Sequence, residues 1–345
     1  MTLSYLQTSL DKLTAAARDD VIEICINPDG TCWGEFQGDH FMRLLDQSLT
    51  ETEVKDLGNQ IASSANTTMS KDRPIVSVSI AYKDRPIRAQ VITPPAVLSA
   101  MSISLRFFSS LPLEQIELAF LFGKERKLEE LRQEKTRQLR EVVASGVIDD
   151  ALAFCVENKL NMIVSGGTST GKTVAARKIL SHVPPEERII TIEEAAELLP
   201  DQPNAVTLIA NRDAEFQSAD VLLTATLRMR PDRIILGEVR GKEAMTFLEA
   251  INTGHGGSMT TLHAETPQLA VQRLAIAALK TEIPMTYADM VRYIENSIDI
   301  NACVSDELLL AARFSMKSAP SLDFSGRIDR PVTSATASSP NAQRI

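Results

Sequence analysis

Apolar residues recur along this chain in two rhythms, and the change from one to the other divides it. Leu3, Leu6, Leu10, Leu13 and Ala17 stand three and four apart, which predicts an amphipathic helix over 3–18. Val21–Ile26 and Thr31–Phe36 read as strands around Asn27-Pro28-Asp29-Gly30, a type I turn sequence with proline second and glycine fourth. Pairing across that turn sets 26 opposite 31 and 25 opposite 32, so Cys25 and Cys32 are expected as cross-strand neighbours. Thr50 and Glu53 form a Thr-x-x-Glu capping box for a helix reaching Ala65, with Val54, Leu57 and Ile61 on one face. Strict alternation then marks strands at 75–80, 87–92 and 101–106, interrupted at Lys83-Asp84-Arg85 and stopped at Pro94-Pro95. Together these predict an α+β domain over residues 1–122.

Residues 123–141 are highly charged, with acids and bases mixed at helical spacing, as in a solvated interdomain helix. From about 145 the pattern alternates between helix and buried strand. Ile148–Glu157 is expected as a helix, and Met162-Ile163-Val164 as a strand. A helix follows over 174–180, then strands at 188–192 and 233–236. That order predicts a mainly parallel sheet covered by helices over 142–302. Residues 303–345 form a Ser/Ala/Pro-rich tail with little periodicity, and 318–345 are expected to be disordered.

Composition narrows the class. With 345 residues, 44% hydrophobic and 23% charged, the chain has material for two ordinary globular cores. A net charge of −9 argues against a general nucleic-acid-binding surface, and sequence-specific nucleic-acid recognition is not expected. No apolar run approaches the ~20 residues of a membrane span, and the first residues lack the pattern of a secretory signal. A cytoplasmic location is therefore expected. The four cysteines include no Cys-x-x-Cys pair, which argues against structural zinc.

The chemistry centres on Gly166-Gly167-Thr168-Ser169-Thr170-Gly171-Lys172-Thr173, a G-x-x-x-x-G-K-[ST] phosphate-binding loop between strand and helix. Its backbone N–H groups turn toward a polyphosphate, Lys172 reaches the outer phosphates, and the Thr173 hydroxyl binds Mg²⁺. ATP and Mg²⁺ are the expected cofactors. Strand 188–192 ends in Glu193 and Glu194, with Glu197 just beyond, and strand 233–236 leads to Glu238. Acids at the carboxyl ends of such strands orient water or hold Mg²⁺, and Glu238 is the second candidate metal residue beside Thr173. Arg228, Arg230, Arg233 and Arg240 crowd this region; some can meet phosphate charge, and at least two are expected in structural ion pairs. His255, among glycines, is a candidate γ-phosphate sensor or a relay to a next subunit.

Four blocks in this order resemble the VirB-type traffic ATPases of type IV secretion, within the superfamily that also drives type II secretion and type IV pili. They are GGTSTGKT (166–173), ITIEEAAEL (190–198), LRMRPDRIILGEVRG (227–241) and TGHGGSMTTLHA (253–264). The resemblance covers about residues 15–300. It implies a P-loop, RecA-like ATPase domain behind a smaller α+β domain, in a homohexameric ring. Such a ring associates with the inner-membrane components of a secretion machine that moves protein or DNA–protein substrates. It implies that Arg106, and less closely Arg88, reach nucleotide phosphates, and that Glu193 is the catalytic glutamate alongside Lys172 and Glu238. After Ile300 the chain departs from the family pattern. A nucleotide-controlled ring scaffold and a type II or pilus motor are the alternatives; the intact Lys172, Thr173, Glu193 and Glu238 favour a motor. No Asn-Lys-x-Asp motif supports a GTPase.

Overall fold

The computed structural model describes residues 5–18, 20–83, 85–108, 128–304, 309–311 and 325–327. The first half forms a six-stranded antiparallel sheet. Its strands are β1 (Val21–Ile26), β2 (Thr31–Phe36), β3 (Arg43–Ser48), β4 (Ile75–Tyr82), β5 (Arg85–Ile92) and β6 (Ser102–Phe107), in the order β3-β2-β1-β6-β5-β4. Helices α1 (Tyr5–Ala15) and α2 (Glu51–Ser64) bury Leu10, Leu13, Val54, Leu57 and Ile61 against one face. The expected capping box is formed: Thr50 accepts from the Glu53 N–H, and the Glu53 carboxylate accepts from the Thr50 N–H at 2.8 Å.

The hairpin register differs from the expectation by one residue. Cys25 pairs with Trp33 and Ile26 with Cys32. The Gly30 N–H donates to the Asn27 carbonyl, as in a type I turn, but Gly30 itself has φ +82° and the Asn27 N–H bonds to the Thr31 carbonyl. Glycine in that conformation adds one bulged residue to the loop. Cys25 and Cys32 therefore point to opposite faces. Strand β3 also escaped the sequence pattern, because of its six residues only Leu45 is buried.

The second half is an eight-stranded sheet. Its strands are β7 (Met162–Gly166), β8 (Ile189–Glu193), β9 (Ala205–Ile209), β10 (Arg233–Leu236), β11 (Met259–His263), β12 (Ile300–Val304), β13 (Leu309–Ala311) and β14 (Ser325–Arg327). The order is β14-β13-β12-β7-β11-β10-β8-β9; β12 through β9 are parallel and the last two strands in sequence pair antiparallel. One face is covered by α3 (Leu128–Ala144), α4 (Ile148–Glu157) and α5 (Lys172–Leu180). The other is covered by α6 (Ala219–Thr226), α7 (Glu243–Asn252), α8 (Pro267–Ala278) and α9 (Tyr287–Ser297).

Two expectations shift here. The charged helix runs past 141, and Leu139 and Val143 are buried in the core beneath α4, so its last turns cover the parallel sheet. The ordered sheet continues past 302: β12 reaches Val304, and β13 and β14 lie within the stretch read as tail. The segments 305–308, 312–324 and 328–345, and with them most of the expected disorder, lie outside the described residues, as does 123–127.

The two sheets meet at the amino-terminal ends of β8, β9 and β10. Arg188, fully buried, donates to the carbonyl of Met229 at 2.8 Å and to Asn27 Oδ1 at 2.7 Å, and also contacts Asn204. Arg230 donates to Glu35 at 2.9 Å and to the His40 carbonyl at 3.0 Å. Residues 96–98 run along the edge of β9, with the Leu98 N–H on Thr207 and the Ile209 N–H on Ala96, each at 2.9 Å.

Candidate active site

Every residue of β7 is buried, and the strand ends at Gly166, where the chain turns back on itself. A side chain at Gly166 would place its Cβ 2.5 Å from Thr170 Oγ1 and 2.6 Å from the Val304 carbonyl oxygen, so the loop closes only around glycine. Thr170 Oγ1 donates to the Gly167 carbonyl at 3.1 Å. Lys172 opens α5 and folds over the loop, its Nζ donating to the Gly167 carbonyl at 2.6 Å. Burial pulls the Lys172 ammonium below its ordinary pKa; Glu238 opposes that and Arg240 adds to it.

The acids of the 190–198 block take three different places. Glu193 ends β8 and is 5% exposed. Its Oε2 accepts from the backbone N–H groups of Glu197 and Leu198 at 2.8 and 2.9 Å, and its Oε1 from the Thr191 hydroxyl at 2.9 Å. Glu194 is exposed and pairs with Arg212. Glu197 is exposed too, and its Oε2 accepts from Thr173 Oγ1 at 3.2 Å. Alternation along the end of a strand sends successive side chains to opposite sides, which separates Glu193 from Glu194.

Glu238 lies just past β10. Its carboxylate meets Arg240, and its Oε1 is 3.4 Å from His263 Nε2. The other ring nitrogen of His263 is 3.4 Å from Lys172 Nζ. His263 therefore bridges the loop lysine and the β10 acid. Burial, then the Lys172 charge, holds its imidazole below the ordinary histidine range. Thr168, Ser169, Lys172, Thr173, Glu193, Glu197, Glu238, Arg240 and His263 line a single cleft of about 790 Å³, at the carboxyl ends of the parallel strands. That volume suits a small-molecule ligand, and the position is where such sheets bind them.

The loop residues Gly166, Gly167, Thr168, Ser169, Thr170, Gly171, Lys172 and Thr173 are thus brought together with Glu193 and Glu238. His255 is not. Its Nδ1 donates to the Pro231 carbonyl at 3.2 Å, in the turn before β11. The cleft lies past the other end of that five-residue strand, roughly 15 Å away at about 3.3 Å per residue. His263 occupies the place instead, directly beside Gly166 in the β7–β11 register. The sequence carried a signal for it, since Met259-Thr260-Thr261-Leu262 is an apolar, β-branched run ending at that histidine.

Arg88 and Arg106 also stand away from the cleft. They are directly opposite each other on β5 and β6. Arg106 is 3.6 Å from Glu23, and Arg88 lies over the Phe108 ring. Two of the four arginines around β10 are in structural pairs: Arg230 with Glu35 and Asp232, and Arg233 with Glu187. Arg240 faces the cleft.

A phosphate loop on the central strand of a parallel sheet, acids at the ends of neighbouring strands and a preceding α+β domain define a P-loop NTPase of the RecA-like secretion type. The comparisons agree. The family model "Type II/IV secretion system protein" matches residues 132–313, and the chain belongs to that family. It is 30% identical over 299 residues to the type IV secretion system protein PtlH of Bordetella pertussis, covering 82% of this chain and 85% of that one. It is 30% identical over 304 residues to the conjugal transfer protein TrbB of Rhizobium radiobacter, covering 85% of each. Among solved structures, the VirB11 ATPase of the Brucella suis type IV secretion system, crystallised with sulphate, superposes with a TM-score of 0.75 at 26% identity; the match covers 88% of this chain and 94% of that one. Family membership implies nucleotide binding. Among the described residues no helix is long and apolar enough to cross a membrane.

The donors present suit Mg²⁺. Thr173, Glu197 and Glu238 offer hard oxygen atoms on the cleft, and Mg²⁺ is typically held by one or two carboxylates together with substrate phosphates. Among the described residues no cluster of three or more His, Cys, Asp or Glu side chains forms a cage by itself.

Proposed function

We propose that this protein is a Mg²⁺-dependent ATPase that works as a homohexameric ring and powers the assembly of, or transport through, a bacterial type IV secretion system. The observation that carries the reading is the convergence of Lys172, Thr173, the acids of 193–197 and Glu238 on one cleft around a phosphate loop. In this reading the loop N–H groups and Lys172 bind and neutralise the phosphates of ATP. Bound Mg²⁺ supplies charge neutralisation at the outer phosphates, with Thr173 and an acid of the cleft as its protein donors. A carboxylate among Glu193, Glu194, Glu197 and Glu238 orients the attacking water. Arg240, held by Glu238, stands ready to stabilise charge on the transferred group.

The ring assigns Arg88 and Arg106 a place. Their face of the first sheet lies toward the amino ends of β8–β10, where Arg188 and Arg230 act on Glu23. The phosphate loop lies at the opposite ends of those strands. Arginines so placed reach phosphates on a neighbouring copy's loop rather than on their own. The ring would sit on the cytoplasmic side of the inner membrane, against membrane components of the machine, with translocated protein or DNA–protein complexes as substrates.

The test is turnover. Purified protein should hydrolyse ATP only with Mg²⁺, and Lys172→Ala should remove the activity, because the loop then has no cation for the phosphates. Wild type that binds ATP yet turns over no faster than Lys172→Ala, with and without lipid, would sink the motor reading.

A further inference from the structure

We infer that Glu23 is a latch on Arg106: the acid holds the guanidinium on its own sheet until a nucleotide phosphate of a neighbouring copy draws it away. This rests on the ring reading above, which sets Arg106 on a neighbour's phosphates.

Strand register makes the pair. Glu23 on β1 stands directly opposite Arg106 on β6, and Arg106 directly opposite Arg88 on β5. Two arginines opposite each other across strands repel, and Glu23 offsets that charge from one side. The pair is loose. The arginine nitrogen and the acid oxygen are 3.6 Å apart, beyond a hydrogen bond, and the Arg106 side chain is 59% exposed where that of Glu23 is 3%. A long, solvent-facing cation held at that distance exchanges one anion for another at little cost.

The other cations around Glu23 are committed. Arg230 donates to Glu35, Asp232 and the His40 carbonyl. Arg188, fully buried, donates to the Met229 carbonyl, Asn27 and Asn204. Glu35, opposite Glu23 on β2, is a like charge. When Arg106 departs, the buried carboxylate is left beside another acid and two cations already engaged. Burial raises its pKa to about 7 even with Arg106 in place, so loss of Arg106 raises it further and a proton binds. The latch thereby couples nucleotide to protons. Bound ATP favours protonated Glu23, and by reciprocity protonated Glu23 favours ATP.

The experiment measures affinity and proton uptake for a non-hydrolysable ATP analogue with Mg²⁺, on the assembled full chain, by calorimetry in buffers of different ionisation enthalpy. Glu23→Gln keeps the shape and removes the charge. It should tighten binding about fivefold at about pH 8 and leave it nearly unchanged at about pH 6, where Glu23 is already mostly protonated. In the Arg106→Ala background the same substitution should change nothing, because no guanidinium is left to release. Glu23 is about half protonated near pH 7 before binding, so wild type there should take up about half a proton more per bound nucleotide than Arg106→Ala does. That comparison needs no variant at Glu23 and decides the matter even if Glu23→Gln does not fold. Equal affinities of wild type and Glu23→Gln at both pH values overturn the latch, as does equal proton uptake in wild type and Arg106→Ala. A tightening by Glu23→Gln that persists without Arg106 overturns it too, and assigns Glu23 to the seam between the sheets. Arg106→Ala that binds the analogue as tightly as wild type would instead defeat the placement of Arg106 on a neighbour's phosphates, and the latch with it.

Discussion

Glu23 lies on β1 facing the ATPase half of the chain, 2% exposed. Burial raises its pKa from 4.5 to about 7; Arg106 opposes that rise and Glu35 adds to it. The sign follows from the protons bound. Between about pH 4.5 and 7 the folded chain keeps a proton that the unfolded chain has released, so stability falls as pH rises through that window. Above it the charged form costs on the order of 3 kcal/mol, at about 1.4 kcal/mol per pH unit. Glu23→Gln should therefore raise the melting temperature at pH 8 and leave it nearly unchanged at pH 4. Equal shifts at both values would show that the residue acts through packing rather than charge. Nothing in the alternation of Val21–Ile26 announced a buried acid, because the second sheet that covers this face comes from residues more than 150 positions away.

At the scale of elements, the local rules performed well where the partners are close in sequence. The Thr50–Glu53 box is formed as read, and α4 has the expected bounds. Register across even a short turn was harder, since the glycine bulge at Gly30 moved the pairs from Glu23 to Ile26 by one, until an irregularity between Val21 and Glu23 set Val21 opposite Phe36 again. Longer links were invisible. Arg233 at the start of β10 makes a two-pronged pair with Glu187 at 2.6 and 2.9 Å, and also donates to the Val156 carbonyl at the end of α4. Both partners are almost fully buried. Arg233→Ala should lower stability by about 3 kcal/mol, because buried Glu187 loses its two-pronged partner and keeps only the half-exposed Lys159, 3.8 Å away. Arg233→Met combined with Glu187→Leu should lose much less. A double variant as unstable as the single one in thermal denaturation would mean that the backbone contacts of Arg233, not the ion pair, hold these elements.

At the scale of the whole molecule, the two sheets are joined by polar groups: the Asn27–Arg188–Asn204 cluster, the Arg230–Glu35 pair and the edge contact along β9. This seam keeps Arg106 on the far side of its own phosphate loop, 59% exposed along its side chain. On the proposed ring reading, Arg106 would meet nucleotide only across an interface with a neighbouring copy. A charge-assisted contact contributes about 1.5–3 kcal/mol, so Arg106→Ala should weaken ATP binding roughly ten- to hundred-fold in the assembled protein. Diluted to monomer, wild type and variant should bind alike. Equal affinity in the assembled state would make Arg106 a strand-face residue paired with Glu23 and nothing more.

The phosphate loop, the helices at 5–15, 51–64, 148–157 and 172–180, the Thr50–Glu53 cap and the alternation of strand and helix in the second half were determined by the sequence alone. Each depends on residues within a few positions of one another, where spacing and chirality leave few choices. The tertiary structure decided the rest. Glu193, Glu194 and Glu197 are one chemistry in sequence, and only the end of β8, the space beside Gly237 and the start of α5 give them three different surroundings. His255 and His263 share one block, yet a five-residue strand carries them to opposite ends of the sheet. The pairing of β11 with β7, a contact between segments about a hundred residues apart, is what sets His263 beside the loop lysine.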